Sequence, residues 1–318
     1  MAPRVLHENW SDIPEYRPNE QGEILNNDFF GGTLRGIASK LDYLESLHVR
    51  TIYLNPIFQA YSNHRYDTGD YKRIDPMLGT EEDFRALCAQ AAARGMRVIL
   101  DGVFNHTGYD SRYFNGSGRY NSLGAHQSKD SPYYGWFDFK RWPDEYGSWW
   151  GIYTLPQVNE MNEDYLRYII EDEDSVIRRW LRLGASGWRL DVADELPDAF
   201  IRHLTAAAKR EKPDALVLGE VWEDASNKIS YSERRAYFHG GELDSVMNYP
   251  LSDAILAFLG GGTAEHFAET MECIRENYPH DVFYSLMNVV GTHDTARTLT
   301  LLGVADEEWR MDRDARAH

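Results

Sequence analysis

The chain has 318 residues, 42% of them hydrophobic and 13% aromatic, and a formal charge of −18. That is enough to bury the core of one barrel or two smaller domains, with no run near the roughly 20 apolar residues of a membrane span and no charged-then-apolar start resembling a secretory signal. The acidity argues against nucleic acid and acidic membranes as partners and favours a neutral ligand.

Residues 1–30 are polar and rich in Pro, Asn and Glu, and read as an irregular arm. Thr33 is placed to cap a helix whose apolar stripe is Leu34, Ile37, Leu41, Leu44 and Leu47. A strand follows over Thr51–Pro56. The signal Thr80-Glu81-Glu82-Asp83 starts a helix that buries Phe84, Leu87, Cys88 and Ala91 and stops at Gly95, after which Arg97–Asp101 is a strand. From Asn105 to about Asn162 the period fails, and Gly, Tyr and Trp dominate. A structureless loop of that length is improbable, so 107–162 is expected to be a small inserted subdomain. Within it, Tyr134, Trp136, Trp149 and Trp150 could offer flat faces to a ligand, but such clusters are more often a small subdomain's core, and none is taken as a binding residue.

Regularity returns at Asn162, which caps a helix with Leu166, Ile169, Ile170, Ile177, Trp180 and Leu181 on its apolar face. Gly187–Glu195 then alternates apolar residues with Arg189 and Asp191, a strand delivering charge at its C-terminal end. A helix from Pro197 to Arg210, a strand over 215–220, a weaker strand over 244–248, a helix from Thr263 to Tyr278 and a buried strand over 284–290 complete the series. Cys88 and Cys273 lie on predicted helices far apart and are expected to be buried free thiols. Apolar strands alternating with amphipathic helices predict a parallel sheet, covered on both faces or closed into a barrel.

Polar residues collect at the same end of these strands. Asp101, Asn105 and His106 follow one, Arg189 and Asp191 end the next, Glu220 ends another, and His293 and Asp294 follow the last. In a barrel such groups converge on one pocket, which overturns the better reading of Asp191 taken alone, that it caps or salt-bridges to Arg189. Two carboxylates about 5 Å apart across a glycosidic bond divide nucleophilic attack from protonation of the leaving oxygen. A third raises the acid's pKa by like-charge repulsion.

Asp101–His106, Gly187–Asp191, Gly219-Glu220-Val221-Trp222 and Gly291-Thr292-His293-Asp294 resemble, in order and offset, the four signature regions of the α-amylase family of glycoside hydrolases. Phe29-Phe30-Gly31-Gly32 and Ser62–Thr68 resemble its cyclomaltodextrinase, neopullulanase and maltogenic amylase branch, and Leu155–Asn159 sits where a fifth region lies. The resemblance implies an α/β fold of the TIM (β/α)8 type, with the catalytic portion over 31–106 and 163–318. It also implies a retaining hydrolase of α-1,4-glucosidic bonds in maltooligosaccharides or cyclomaltodextrins. Asp191 becomes the nucleophile, Glu220 the general acid/base and Asp294 the third carboxylate. Arg189 would aim Asp191, His106 and His293 would donate hydrogen bonds to sugar hydroxyls, and Tyr66 would supply a stacking face. Asp101 and Asn105 would hold the site together.

Only six strands are found, near residues 51, 97, 187, 215, 244 and 284, with no candidate for the family's first or last, and the chain ends in polar Met311–His318. The barrel is therefore expected to be incomplete, a fragment of a longer enzyme whose exposed strand edges favour self-association. A cytoplasmic location is the expectation, and a lost N-terminus is where a signal that changes it would lie. No cofactor is required by the chemistry. Calcium fits weakly, because Gly31-Gly32-Thr33 puts a hydroxyl where related turns carry a carboxylate or amide. Three other readings remain: a transglycosylase using the same machinery, a catalytically inactive glucan-binding fragment, and a dinucleotide- or phosphate-binding protein, which the lack of a Gly-rich loop disfavours.

Overall fold

The computed structural model describes residues 4–14, 24–239 and 241–303. The chain divides into two compact units, one of Met1–Asp191 with Ala199–Leu216, the other of Val192–Asp198 with Val217–His318.

In the first unit the helix expected after Thr33 is two helices, α1 (Leu34–Ala38) and α2 (Leu41–Ser46). Thr33 does cap α1, accepting from Gly36 N at 3.0 Å. The break follows because the Ser39 hydroxyl donates to Gly36 O, and Lys40 leaves the helical region. Strand β1 (Thr51–Leu54) pairs in parallel with β2 (Arg97–Gly102), and β2 with β3 (Gly187–Leu190). Between β1 and β2 lies an antiparallel pair, Phe58–Ala60 with Thr68–Ile74, not foreseen in the sequence, whose turn holds the Ser62–Asp67 motif. Helix α3 (Glu81–Ala93) begins in a reciprocal capping box between Thr80 and Asp83 and buries Phe84, Leu87, Cys88 and Ala91, as expected.

Asn162 caps α4 (Glu163–Leu166), but the long helix read through Leu181 is interrupted. A π-turn over Arg167–Glu171 and an extended Asp172 precede α5 (Val176–Arg182). The interruption falls in the acidic run Glu171-Asp172-Glu173-Asp174, where like charges repel, and the Ser175 hydroxyl takes the Ile170 carbonyl at 2.9 Å. The expected apolar face is nevertheless buried: Trp180 packs edge-on to Phe84 at 5.4 Å, and its indole donates to Tyr71 O at 2.8 Å. Burying one such ring, at ~25 cal/mol per Å², is worth about 4–6 kcal/mol before entropy is counted. Gly187 begins β3 because a Cβ there would sit 2.1 Å from Leu216 O. Helix α6 (Asp198–Glu211) follows.

The second unit holds β4 (Leu216–Gly219), β5 (Ser245–Asn248) and β6 (Met287–Asn288), with β4 parallel to β5 and β5 to β6. Helix α7 (Tyr249–Leu259), missed in the sequence, is capped by Asn248 accepting from Leu251 N, with Pro250 in its first turn; α8 (Ala264–Asn277) is capped by Thr263, as expected. The buried strand expected over 284–290 is corrected to the two residues of β6, half-buried and exposed. The preceding chain is drawn into a helical turn, His280–Phe283, and β6 pairs only with β5 among the described residues. Cys273 is exposed on α8 rather than buried, while Cys88 is buried.

Inside 107–162 the structure holds short 3-10 turns at Tyr134–Trp136 and Trp149–Gly151 and a hairpin of Phe139–Arg141 with Glu145–Tyr146. In the arm, Val5–Leu6 runs parallel to Asp28–Phe29; residues 1–3 and 15–23 of it, and the polar end Met311–His318, lie outside the described residues.

Candidate active site

In the first unit, β2 and β3 deliver a buried charged cluster. Arg189 is wholly buried, and its Nη1 donates to Asp101 Oδ1 and to Asp191 Oδ1, each at 2.8 Å. The alternation that turns Trp188 and Leu190 into the core points Arg189 the other way, so the strand itself aims the guanidinium. Asp191 stands one residue past β3, its N–H on Gly102 O at 3.1 Å and its carbonyl accepting from Asn105 Nδ2 at 3.4 Å. Asp101 is the hub: its Oδ2 accepts from Tyr66 OH at 2.7 Å and from Tyr53 OH at 2.5 Å. Burial first, and the Asp101 charge next, push both phenols far above their usual value, so both stay protonated donors. One cation, two carboxylates and two hydroxyls are thus linked to one another out of water.

His106 is 1% exposed, its ring 5.0 Å from Trp149, with Nε2 3.1 Å from Tyr66 O. Burial lowers its pKa to about 3, so the ring is neutral. Because a carbonyl only accepts, Nε2 carries the proton and Nδ1, which has no hydrogen-bond partner, is left an acceptor. The Tyr66 hydroxyl is committed to Asp101, while its ring lies 6.1 Å from that of His64.

In the second unit, Glu220 follows β4 and is 3% exposed. Its Oε2 accepts from Val192 N at 2.8 Å and its Oε1 from Trp222 Nε1 at 3.2 Å. Trp222 is fixed in turn by stacking on Tyr249, 4.2 Å between centroids and 7° between planes. Val192 takes φ 40° and ψ 62°, the left-handed region, which costs a β-branched residue roughly 1–3 kcal/mol. That strained turn points one backbone N–H at the Glu220 carboxylate while Ala193 N holds Glu220 O at 3.2 Å. His293 and Asp294 sit on an exposed loop after β6, His293 Nε2 3.1 Å from Asp294 Oδ2, with Asp294 N on Thr292 Oγ1 at 3.3 Å.

The structure therefore joins Asp101, Arg189, Asp191, Tyr66, Asn105 and His106 into one hydrogen-bonded group, surrounds Glu220 with donors in the other unit, and pairs His293 with Asp294. Sequence reasoning missed Tyr53, Val192, Trp222 and Tyr249. Trp222 had a signal, since an indole two residues beyond a strand-end glutamate shares its side of an extended chain. The other three had none. For a calcium ion the residues fit poorly. Thr33 Oγ1 is taken by the helix cap, and at Asn105, beside the insertion, the buried oxygen without a hydrogen bond is a single amide Oδ1. A hard cation requires six to eight oxygens, and among the described residues no three His, Cys, Asp or Glu side chains group to hold a metal.

The family model of the alpha-amylase catalytic domain matches residues 9–317. The chain belongs to the alpha-amylase family. Its fold is thus of the TIM-barrel type, and six of that barrel's eight strands are present among the described residues. Among curated proteins it is 40% identical over 350 residues to an amylopullulanase of Thermoanaerobacterium saccharolyticum, covering 98% of this chain and 26% of that protein. It is 37% identical over 296 residues to a cyclomaltodextrinase of Geobacillus thermopakistaniensis, covering 90% and 47%. Among solved structures, the cyclic alpha-maltosyl-(1→6)-maltose hydrolase of Arthrobacter globiformis superimposes with a TM-score of 0.78 at 31% identity, over 95% of this chain and 66% of that one. The chain spans from about a quarter to about half the length of these two curated relatives. No helix among the described residues is long and apolar enough to cross a membrane.

Proposed function

We propose that this chain carries the catalytic domain of a retaining hydrolase of α-1,4-glucosidic bonds in maltooligosaccharides, cyclomaltodextrins or related α-glucans. Asp191 attacks the anomeric carbon while Glu220 protonates the departing glycosidic oxygen. The resulting glucosyl ester on Asp191 is then hydrolysed by a water that gives its proton to Glu220, returning both carboxyls to their starting states. Asp294 and His293 bind sugar hydroxyls and Tyr66 lends its ring face; His106, whose ring proton is held by Tyr66 O, can only accept from a hydroxyl rather than donate to one as expected. The observation that carries the reading is the Arg189 bridge: Nη1 at 2.8 Å from both Asp191 Oδ1 and Asp101 Oδ1 orients the Asp191 carboxylate at the end of its strand, as a nucleophile requires. No metal is needed, since attack and proton transfer are both done by carboxyls. A cytoplasmic location is supported by two cysteines that remain free thiols.

The test is reducing-sugar release from cyclomaltodextrin and maltooligosaccharides by the chain and its Glu220→Gln variant, with mass spectrometry of the variant after reaction with α-maltosyl fluoride. The activated fluoride needs no acid, so the variant is expected to accumulate a maltosyl adduct on the peptide containing Asp191. An active Glu220→Gln variant on unactivated substrates, or an adduct elsewhere, refutes the assignment.

A further inference from the structure

The turn that aims the Val192 N–H at Glu220 is gripped from outside. Its regular part, Ala193–Glu195, is one 3-10 turn entered from a left-handed residue, and so short a turn leaves most of its carbonyls to find partners elsewhere. They find them on one side chain. Arg235 Nη1 donates to Asp194 O at 3.0 Å, and its Nη2 donates to Leu196 O at 2.5 Å and to Ala193 O at 3.4 Å. Its Nε lies 2.7 Å from Asp198 Oδ1. A guanidinium is planar and rigid, so carbonyls bound at both of its ends are held at a fixed spacing. The side chain is buried, with its cation 5.0 Å from the centre of the Tyr237 ring, and Tyr237 OH donates to Asp194 Oδ1 at 2.5 Å.

A hairpin delivers Arg235. Ile229–Ser230 runs antiparallel to Glu233–Arg234, and the two connecting residues, Tyr231 and Ser232, take φ 51° and 68°, as a tight turn that matches the strand twist requires. Arg235 N on Lys228 O at 2.9 Å carries the ladder one step further. The hairpin also reaches the turn directly, through Lys228 Nζ at 3.0 Å from Asp194 Oδ2 and Ser230 Oγ donating to Asp194 O at 2.9 Å. Burying a guanidinium is costly unless its donors are used, and here they are used on the backbone of one turn. That turn carries two contacts to Glu220: Val192 N to its Oε2 at 2.8 Å and Ala193 N to its carbonyl at 3.2 Å. A left-handed valine persists only where its surroundings hold it, so with the grip gone Val192 is expected to relax and withdraw its N–H from the carboxyl.

We propose that Arg235 is a positioning residue for Glu220: by gripping three carbonyls of the turn it holds the Val192 N–H on the carboxyl and so aims that carboxyl at the glycosidic oxygen. The inference rests on the proposed function, which takes Glu220 as the general acid. The test compares the parent, Arg235→Met, Arg235→Lys and Glu220→Gln on two substrates, maltotriose, whose leaving oxygen needs a proton, and α-maltosyl fluoride, whose leaving group does not. Arg235→Met is expected to lower kcat for maltotriose by about 10–100-fold with KM changed less than about threefold, a misaligned acid losing part of the usual gain from proton transfer. The first-turnover burst of fluoride should keep its size, and its rate to within about threefold. Arg235→Lys keeps the charge and reaches one carbonyl rather than three, so it should fall between the parent and Arg235→Met. If Arg235→Met does not fold, Arg235→Lys carries the same comparison, with a loss on maltotriose that fluoride does not share. Hydrogen exchange read by mass spectrometry should be at least about tenfold faster over 192–196 in Arg235→Met and unchanged over β3. Equal losses on the two substrates, an Arg235→Met that matches the parent, full recovery in Arg235→Lys, or unchanged exchange over 192–196 would each overturn the proposal. Glu220→Gln separates the two claims. If it still cleaves maltotriose, the proposed function fails and this inference with it; if it is inactive while Arg235→Met matches the parent, this inference alone fails. In a parent that cleaves neither substrate, the exchange comparison still decides whether Arg235 holds the turn.

Discussion

Removing Arg189 tests the cluster directly. The side chain is wholly buried, and a single nitrogen bridges two carboxylates at 2.8 Å each. In Arg189→Leu the transfer of an apolar side chain is favourable, but Asp101 and Asp191 lose their common cation and face each other as buried like charges. Breaking a buried ion pair from one side costs about 3–5 kcal/mol. At about 2 °C per kcal/mol for a chain of this size, the melting temperature should fall by roughly 6–10 °C. Arg189→Lys keeps a charge but not the fork, and should lose less than half as much. A cycle with Asp101→Asn isolates the pair: the two changes together should cost at least about 1 kcal/mol less than their sum, because the second removes a charge that the first has stranded. Circular-dichroism melts and urea titrations of the four proteins read this. A melting temperature for Arg189→Leu within about 2 °C of the parent, or strict additivity, refutes the picture of a mutually dependent buried triad.

Four further outcomes follow from the same structure. His106 has a folded pKa of about 3 against an ordinary 6.5, so its contribution is full above pH 6.5 and is lost as pH falls towards 3, because only the unfolded chain takes up the proton. Between pH 7 and pH 5 this amounts to about 2 kcal/mol of urea-measured stability, and His106→Gln should lack that part of the slope; equal slopes refute the buried neutral ring. Val192→Gly releases the left-handed strain while giving up about 0.5–1 kcal/mol of chain entropy and a half-buried side chain, so its unfolding free energy should stay within about 1 kcal/mol of the parent. A loss above about 2 kcal/mol would mean that the turn is not strained. Ellman's reagent should titrate Cys273 in the native protein and Cys88 only after denaturation, since burial pushes the Cys88 thiol up to about 12; two fast thiols contradict the placement of α3. Because β1 and β6 each pair on one side only among the described residues, light scattering is expected to show concentration-dependent self-association, and a constant monomer mass opposes it.

Sequence by itself determined the periodic elements and the chemistry at their ends. The capping box at Thr80–Asp83, the apolar face of α3, the caps at Asn162 and Thr263, and the placing of Asp101, Asp191 and Glu220 at or just beyond strand ends were all legible, because a local period and a cap depend on residues within a turn or two. Tertiary structure decided what depends on distant partners. The helix at 163–181 is broken by its own acidic run and by a serine reaching a carbonyl five residues back, a competition that an apolar stripe does not register. The strand at 284–290 shrank to two residues because a strand's extent is set by its neighbours rather than by its composition. The roles of Tyr53 and Tyr249, and the left-handed Val192 that aims an N–H at Glu220, arise from contacts across 27 to 48 residues of chain, and backbone donors carry no sequence signature at all. The division of the insertion's aromatics into buried Trp136 and exposed Trp150 is likewise a matter of packing, since two tryptophans read alike until the fold gives one a core and the other the solvent.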